Sequence, residues 1–131
     1  MKKVLLFCLM GLVVVGCKDK REIVYEKQMQ AVRTIFDVNG LDTEEEIRTG
    51  IGRNPTTKEL SRLDFSNRNL TIIPPEIGLL KGLVQLDLSG NKIEELPEEI
   101  GNLVKLEKLD VRSNRLRGLP STLGNLESLT E

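Results

Sequence analysis

Leu83–Lys105, LVQLDLSGNKIEELPEEIGNLVK, decides the fold, because the stretches on either side repeat its pattern at a fixed period of 23 residues. Leu60, Leu83, Leu106 and Leu129 open successive units. Leu63, Leu86 and Leu109 follow, then Phe65, Leu88 and Val111, then Leu70, Ile93 and Leu116. The second half of each unit is as strict: Ile73-Pro74, Leu96-Pro97 and Leu119-Pro120, then Ile77-Gly78, Ile100-Gly101 and Leu123-Gly124, then Leu80, Leu103 and Leu126. A spaced apolar code at such a period marks a solenoid, in which each unit buries its apolar side only against its neighbours. Alternation in Leu63/Phe65, Leu86/Leu88 and Leu109/Val111 turns one strand face into the core. Parallel strands from successive units then stack about 4.8 Å apart.

The units read L-x-x-L-x-L-x-x-N-x-L and then x-x-L-P-x-x-I-G-x-L-x-x. This pattern resembles the leucine-rich repeat family in its bacterial form, from Leu60 to Leu129. The resemblance implies an α/β fold: a short solenoid with parallel strands on its concave face and a helical cap before the first unit. It also implies an inward-facing Asn after each strand that bonds backbone amides at the bend, a role that Asn91 and Asn114 fit. Arg68 holds that position in the first unit and departs from the pattern, with Asn67 and Asn69 beside it as substitutes.

The front of the chain has a different grammar. Met1-Lys2-Lys3 is a short basic start, Val4 to Gly16 is uncharged and mostly apolar, and Cys17-Lys18-Asp19-Lys20-Arg21 is abruptly polar. A spanning helix needs about 20 apolar residues, so the stretch is too short for one and fits a secretory signal. Val14-Val15-Gly16-Cys17 resembles the lipobox of bacterial lipoproteins, which implies cleavage before Cys17 and acylation of that cysteine. An ordinary signal peptide with an incidental Cys is the plainer alternative. Cys8, the other cysteine, lies inside the segment to be removed, so processing leaves no pair for a disulfide. The expected organisation is a lipoprotein signal peptide over 1–16, a lipidated tether over 17–22 and a helical cap over 23–59. Repeats then occupy 60–131, as units 60–82, 83–105 and 106–128 with a truncated fourth from 129. The expected location is the bacterial cell envelope, lipid-anchored, at the outer membrane or cell surface where the organism has an outer membrane.

Composition excludes several functions. With Lys2 and Lys3 removed from the 19 basic residues, 17 remain against 20 acidic ones, a net charge of −3. No basic stripe with interleaved aromatics points to nucleic acid. Lys18, Lys20 and Arg21 form a basic cluster beside the tether, suited either to anionic headgroups or to plain solvation. The chain has no His, and no nucleophile elbow or phosphate-cradling glycine loop is present. The sequence therefore names no catalytic residue, no metal ligand and no cofactor.

Between tether and repeats, Tyr25, Met29, Val32 and Phe36 fall at helical spacing with Ile35 alongside, so Arg21 to Asp37 reads as an amphipathic helix. Asn39-Gly40 is a natural stop, since both residues tolerate the left-handed conformation. Asp37-x-Asn39-Gly40 fails as a calcium loop: Gly40 is fourth and Arg48 twelfth, where an EF-hand wants Gly sixth and Glu twelfth. Thr43 and Glu46 have capping-box spacing, with Glu44 and Glu45 favoured by the dipole of a second short helix to about Thr49. Gly50, Gly52 and Asn54-Pro55 break that helix and lead into the first strand.

If the units stack in register, five columns face solvent: Ser61/Val84/Glu107, Arg62/Gln85/Lys108, Asp64/Asp87/Asp110, Ser66/Ser89/Arg112 and Asn67/Gly90/Ser113. The aspartate column suggests a cation site or a contact line for a basic partner. Against this, acidic residues are common at this position in the family, and one column offers too few ligands for an oxygen-rich metal site. Binding is expected from Arg62, Asp64, Val84, Gln85, Asp87, Lys108, Asp110 and Arg112, to an unidentified protein partner. The face has no aromatic anchor, and Val84 is its one large apolar residue, which suits a weak or polar contact or part of a larger one. The truncated fourth unit leaves Leu109, Leu116, Leu119, Leu123 and Leu126 partly uncovered and the third strand an unpaired edge. The competing expectation is therefore a degenerate repeat fragment with a structural role, self-associating through its uncapped third unit.

Overall fold

A computed structural model of the chain describes residues 19–41, 47 and 49–131. The expected signal peptide, Cys17 and most of the second short helix, including Thr43 to Glu46, lie outside the described residues. Among the described residues, no helix is long and apolar enough to cross a membrane.

Helix α1 runs Lys20–Val38, one residue longer at each end than the apolar spacing suggests. Asp19 caps it, its carboxylate accepting from the Arg21 backbone N–H. The helix therefore starts within the stretch expected as tether. Among the described residues, four strands form one sheet in the order β1-β2-β3-β4: Ile51–Arg53, Leu60–Asp64, Gln85–Asp87 and Lys108–Asp110. The last three are parallel and in register, with Leu63 beside Leu86 beside Leu109 and Asp64 beside Asp87 beside Asp110. Three 3-10 segments return the chain behind them, at Pro75–Leu79, Glu98–Asn102 and Ser121–Asn125.

Each 3-10 segment follows a proline in extended backbone, Pro74, Pro97 or Pro120. The ring holds φ near −65° and removes a donor that the first turn does not use. The recurring glycine inside the segment has a steric cause. A Cβ on Gly78 would lie 2.8 Å from the Glu99 carbonyl oxygen, and one on Gly101 would lie 2.5 Å from Thr122 Cβ. Adjacent units pack too closely there for any side chain.

The core lies between sheet and 3-10 segments. Leu60, Leu63, Phe65, Leu83, Leu86, Leu88, Leu103 and Leu106 are all buried in it. Val32, Ile35 and Phe36 of α1 cover its first unit, and the Phe36 ring meets Phe65 edge-on with centroids 5.1 Å apart. Three features of this cap escape the sequence pattern. Gln28 is buried in α1, where its side-chain oxygen accepts from Leu60 N–H at 2.9 Å. Asn39 ties the helix end to the first unit: its Nδ2 donates to the Ile35 and Ile72 carbonyls, and its Oδ1 accepts from the Thr71 and Ile72 amides. The stretch in which Gly50, Gly52 and Asn54-Pro55 were expected only to break a helix holds β1, Ile51–Arg53, which pairs antiparallel with β2 and closes its edge. Among the described residues, the cap thus holds a strand as well as the helix. Arg53 of that strand lies 3.6 Å over the Tyr25 ring and 3.8 Å from Glu22.

Two further expectations need correction. Asn67 and Asn69 do not replace the bend asparagine; both adopt positive φ, 55° and 57°. Instead, Asn91 of the second unit serves the first, accepting from the Arg68 and Leu70 amides, and Asn114 of the third accepts from Ile93 N–H. Each asparagine reaches back one unit, and no repeat precedes Arg68 to need one. Arg68 instead reaches Thr49 of the cap. The second correction concerns β4, whose edge is not bare. Thr130 and Glu131 N–H donate to the Glu107 carbonyl, and Leu109 N–H donates to the Glu131 carbonyl at 2.9 Å. Leu126 is buried, Leu109, Leu116 and Leu123 are partly buried, and Leu119 is 62% exposed.

Candidate functional site

The register of the parallel strands places Arg62, Gln85 and Lys108 in one row and Asp64, Asp87 and Asp110 in the next. Side chains alternate along a strand, so both rows stand beside the buried leucines, and a groove of about 560 Å³ lies over them. Seven of the eight expected contact residues line it, namely Arg62, Asp64, Gln85, Asp87, Lys108, Asp110 and Arg112, together with Glu131. Val84 is not among the lining residues; it is half-buried just before β3, its N–H donating to the Ser61 carbonyl.

The aspartate row is largely occupied with its own strand ends. Asp64 Oδ1 accepts from Ser66 N–H at 3.1 Å and from the Ser66 hydroxyl at 2.7 Å. Asp87 does the same with Ser89, at 2.9 and 2.6 Å. Asp110 takes the Arg112 N–H and its guanidinium instead, at 3.0 and 2.6 Å. Each carboxylate closes a tight turn where its strand ends, a habit of Asp two residues before an available amide. Among the described residues, no group of three His, Cys, Asp or Glu is placed to hold a metal ion. The fifth column, Asn67/Gly90/Ser113, is a backbone feature: all three sit at positive φ, 55°, 68° and 56°. A glycine tolerates that conformation freely, and it brings Gly90 so close to Asn67 that a Cβ would collide with its side-chain oxygen.

The same contacts set the acidity of the row. Ser66 hydroxyl and amide bonds, aided by Arg62 and Arg68, hold the Asp64 carboxyl below the usual carboxylate range. Arg112 does this for Asp110. A carboxylate whose pKa is depressed on folding adds stability above its unfolded value, about 3.9, and loses it as pH falls through the folded value. The urea midpoint should therefore be flat down to about pH 5 and fall below about pH 4. In the double variant Asp64→Asn and Asp110→Asn that acid limb should be shallower. An unchanged limb would show that these turns contribute nothing to acid sensitivity.

Once the aspartates, serines and Arg112 are accounted for, one row remains available. Arg62 and Gln85 make no side-chain hydrogen bond or ion pair among the described residues. Lys108 pairs with Glu131 at 2.9 Å, but both side chains are about half exposed or more, 49% and 68%, so the pair is easily exchanged. Glu131 was missed by sequence reading, since its return to Lys108 depends on the stacking itself. The roles of Ser66 and Ser89 were missed as well, although each stands in an Asp-x-Ser spacing that signals such a turn.

Comparison with known proteins agrees with this geometry. The profile of the family described as leucine-rich repeat region matches residues 55–131, more than half of the chain. No curated protein matches it. Among solved structures, the leucine-rich repeat ectodomain of the receptor kinase SOBIR1 from Arabidopsis thaliana is similar at 30% identity and a TM-score of 0.64, over 79% of this chain and 63% of that one. A plant ice-binding protein shares the fold at 23% identity and a TM-score of 0.65, over 80% of this chain and 38% of that one. A leucine-rich repeat protein of Leptospira interrogans is 47% identical over 46% of this chain and 15% of its own, with a TM-score of 0.45. The chain spans less than two thirds of each of these structures. From the 23-residue stacking, the in-register strands and the match over residues 55–131, this chain belongs to the leucine-rich repeat family.

Proposed function

We propose that this protein is a lipid-anchored lipoprotein of the bacterial cell envelope that binds a protein partner through its strand face. The observation that carries the binding reading is the row Arg62, Gln85 and Lys108. Its groups stand in register on an open face, and the side chains of the first two make no hydrogen bond or ion pair among the described residues. The Asp64, Asp87 and Asp110 row beside it is mainly a set of turn closures, so it does not by itself call for a cation. A largely polar face without aromatic anchors suits a contact of modest affinity. The anchor rests on the segment Val14-Val15-Gly16-Cys17 and its apolar run, with Cys17 acylated after cleavage.

Both halves can be tested together. Cys17→Ser should abolish acylation and move the protein from the detergent phase to soluble fractions; unchanged partitioning would remove the anchor from the account. Val84→Lys with Gln85→Lys should reduce capture of the envelope partner by roughly tenfold or more, as a charge placed at the centre of an interface does, with the urea midpoint unchanged. Equal capture by wild type and double variant would place the contact elsewhere.

A further inference from the structure

Asn39 is joined to Gly40, the one Asn-Gly pair in the chain. In an Asn-Gly pair nothing on the following residue hinders its backbone nitrogen from reaching the asparagine side chain. The glycine nitrogen attacks Asn39 Cγ, a new N–Cγ bond forms, and the Cγ–Nδ2 bond breaks. Ammonia leaves with the amide proton, and a five-membered succinimide remains. Water then opens the ring, giving an aspartate from one side or an isoaspartyl link from the other. The step needs no oxidant and no co-reactant but water.

The folded chain holds both reacting groups away from this course. Gly40 N–H donates to the Asp37 carbonyl at 3.1 Å, so the nucleophile faces the helix end. The leaving nitrogen, Nδ2, donates to the Ile35 and Ile72 carbonyls at 2.6 and 2.7 Å. The other end of the amide accepts from Thr71 N–H at 2.7 Å and Ile72 N–H at 3.0 Å. The same amide also hydrogen-bonds the end of α1 to the first repeat. We propose that Asn39-Gly40 is a conformation-gated deamidation site: protected while α1 is docked, open when it lifts, and unlatching it once converted. A carboxylate at this position would still accept from Thr71 and Ile72. Against the Ile35 and Ile72 carbonyls it would bring no donor, and two oxygens would face a third. The isoaspartyl product would also lengthen the backbone within the turn.

The purified full chain, held at neutral pH with and without guanidinium chloride, tests this by peptide mapping with mass spectrometry. In denaturant, Asn39 should convert ahead of every other asparagine. In the folded protein its conversion should be slower by more than about tenfold, because reaction waits on local opening. Equal rates in the two conditions, or another asparagine leading in denaturant, would overturn the proposal. A second reading uses Asn39→Asp against Asn125→Asp, a change at an exposed residue. Amide hydrogen exchange should rise along α1 in the first variant while β3 keeps its protection, and neither should change in the second. Equal loss at α1 and β3, or no loss at either, would refute local unlatching.

Discussion

Leu86→Ala should destabilise the protein by about 2–5 kcal/mol, enough to leave a large share of molecules unfolded under mild conditions. Leu86 is 1% exposed and stands between Leu63 and Leu109 in the register of the strands. Units before and after it are fixed by their own packing, so little can collapse into the space left behind. The same change at Leu109 should cost less, since that side chain is only partly buried. Urea titration of wild type and both variants reads the order directly. Equal midpoints for wild type and Leu86→Ala would contradict the stacked core.

Asn91→Ala should cost a similar amount, about 3 kcal/mol or more, by a different route. Asn91 is 5% exposed and joins two units with one side chain. Its Oδ1 accepts from the Arg68 and Leu70 amides at 2.9 and 3.0 Å. Its Nδ2 donates to the Phe65 and Leu88 carbonyls, both at 2.8 Å. Removing it strands buried backbone groups, each costing about 1–3 kcal/mol when no water can replace the partner. Asn114→Ala should be milder. Asn114 is only partly buried, and its Oδ1 serves a single amide, that of Ile93. Hydrogen exchange at the Leu70 amide should quicken in Asn91→Ala and not in Asn114→Ala. Equal effects of the two changes would mean that the asparagines act within their own bends rather than across units.

Much of this structure was legible because repetition converts burial into spacing. A leucine that must meet the same position of the next unit recurs every 23 residues, and the alternation of Leu86 and Leu88 sets the strand face. The cap helix was legible for the same reason, through Val32, Ile35 and Phe36. What stayed hidden has no period. Ile51-Gly52-Arg53 carries too few residues for an alternation, and it is a strand because the β2 edge needs a partner. Gln28 looks like a surface residue until the Leu60 amide beside it is known. The bend asparagines were placed correctly, but their reach into the preceding unit was not, and that reach explains why Arg68 is tolerated. For the strand face, the columns and their neighbours were legible in the repeat. Which groups remain available depended on hydrogen bonds that only the fold arranges, as with the Ser66 and Ser89 hydroxyls turned onto Asp64 and Asp87.

The central claim, that a partner is engaged through the strand face, is tested most directly by site-specific photo-cross-linking in cells. A cross-linker replaces Gln85 on the open row or Val104, which is 56% exposed and follows the 3-10 segment Glu98–Asn102 on the opposite side of the core. The account predicts a discrete adduct with one envelope protein from position 85 and none from position 104. Adducts of equal yield from both positions, or from position 104 alone, would contradict it.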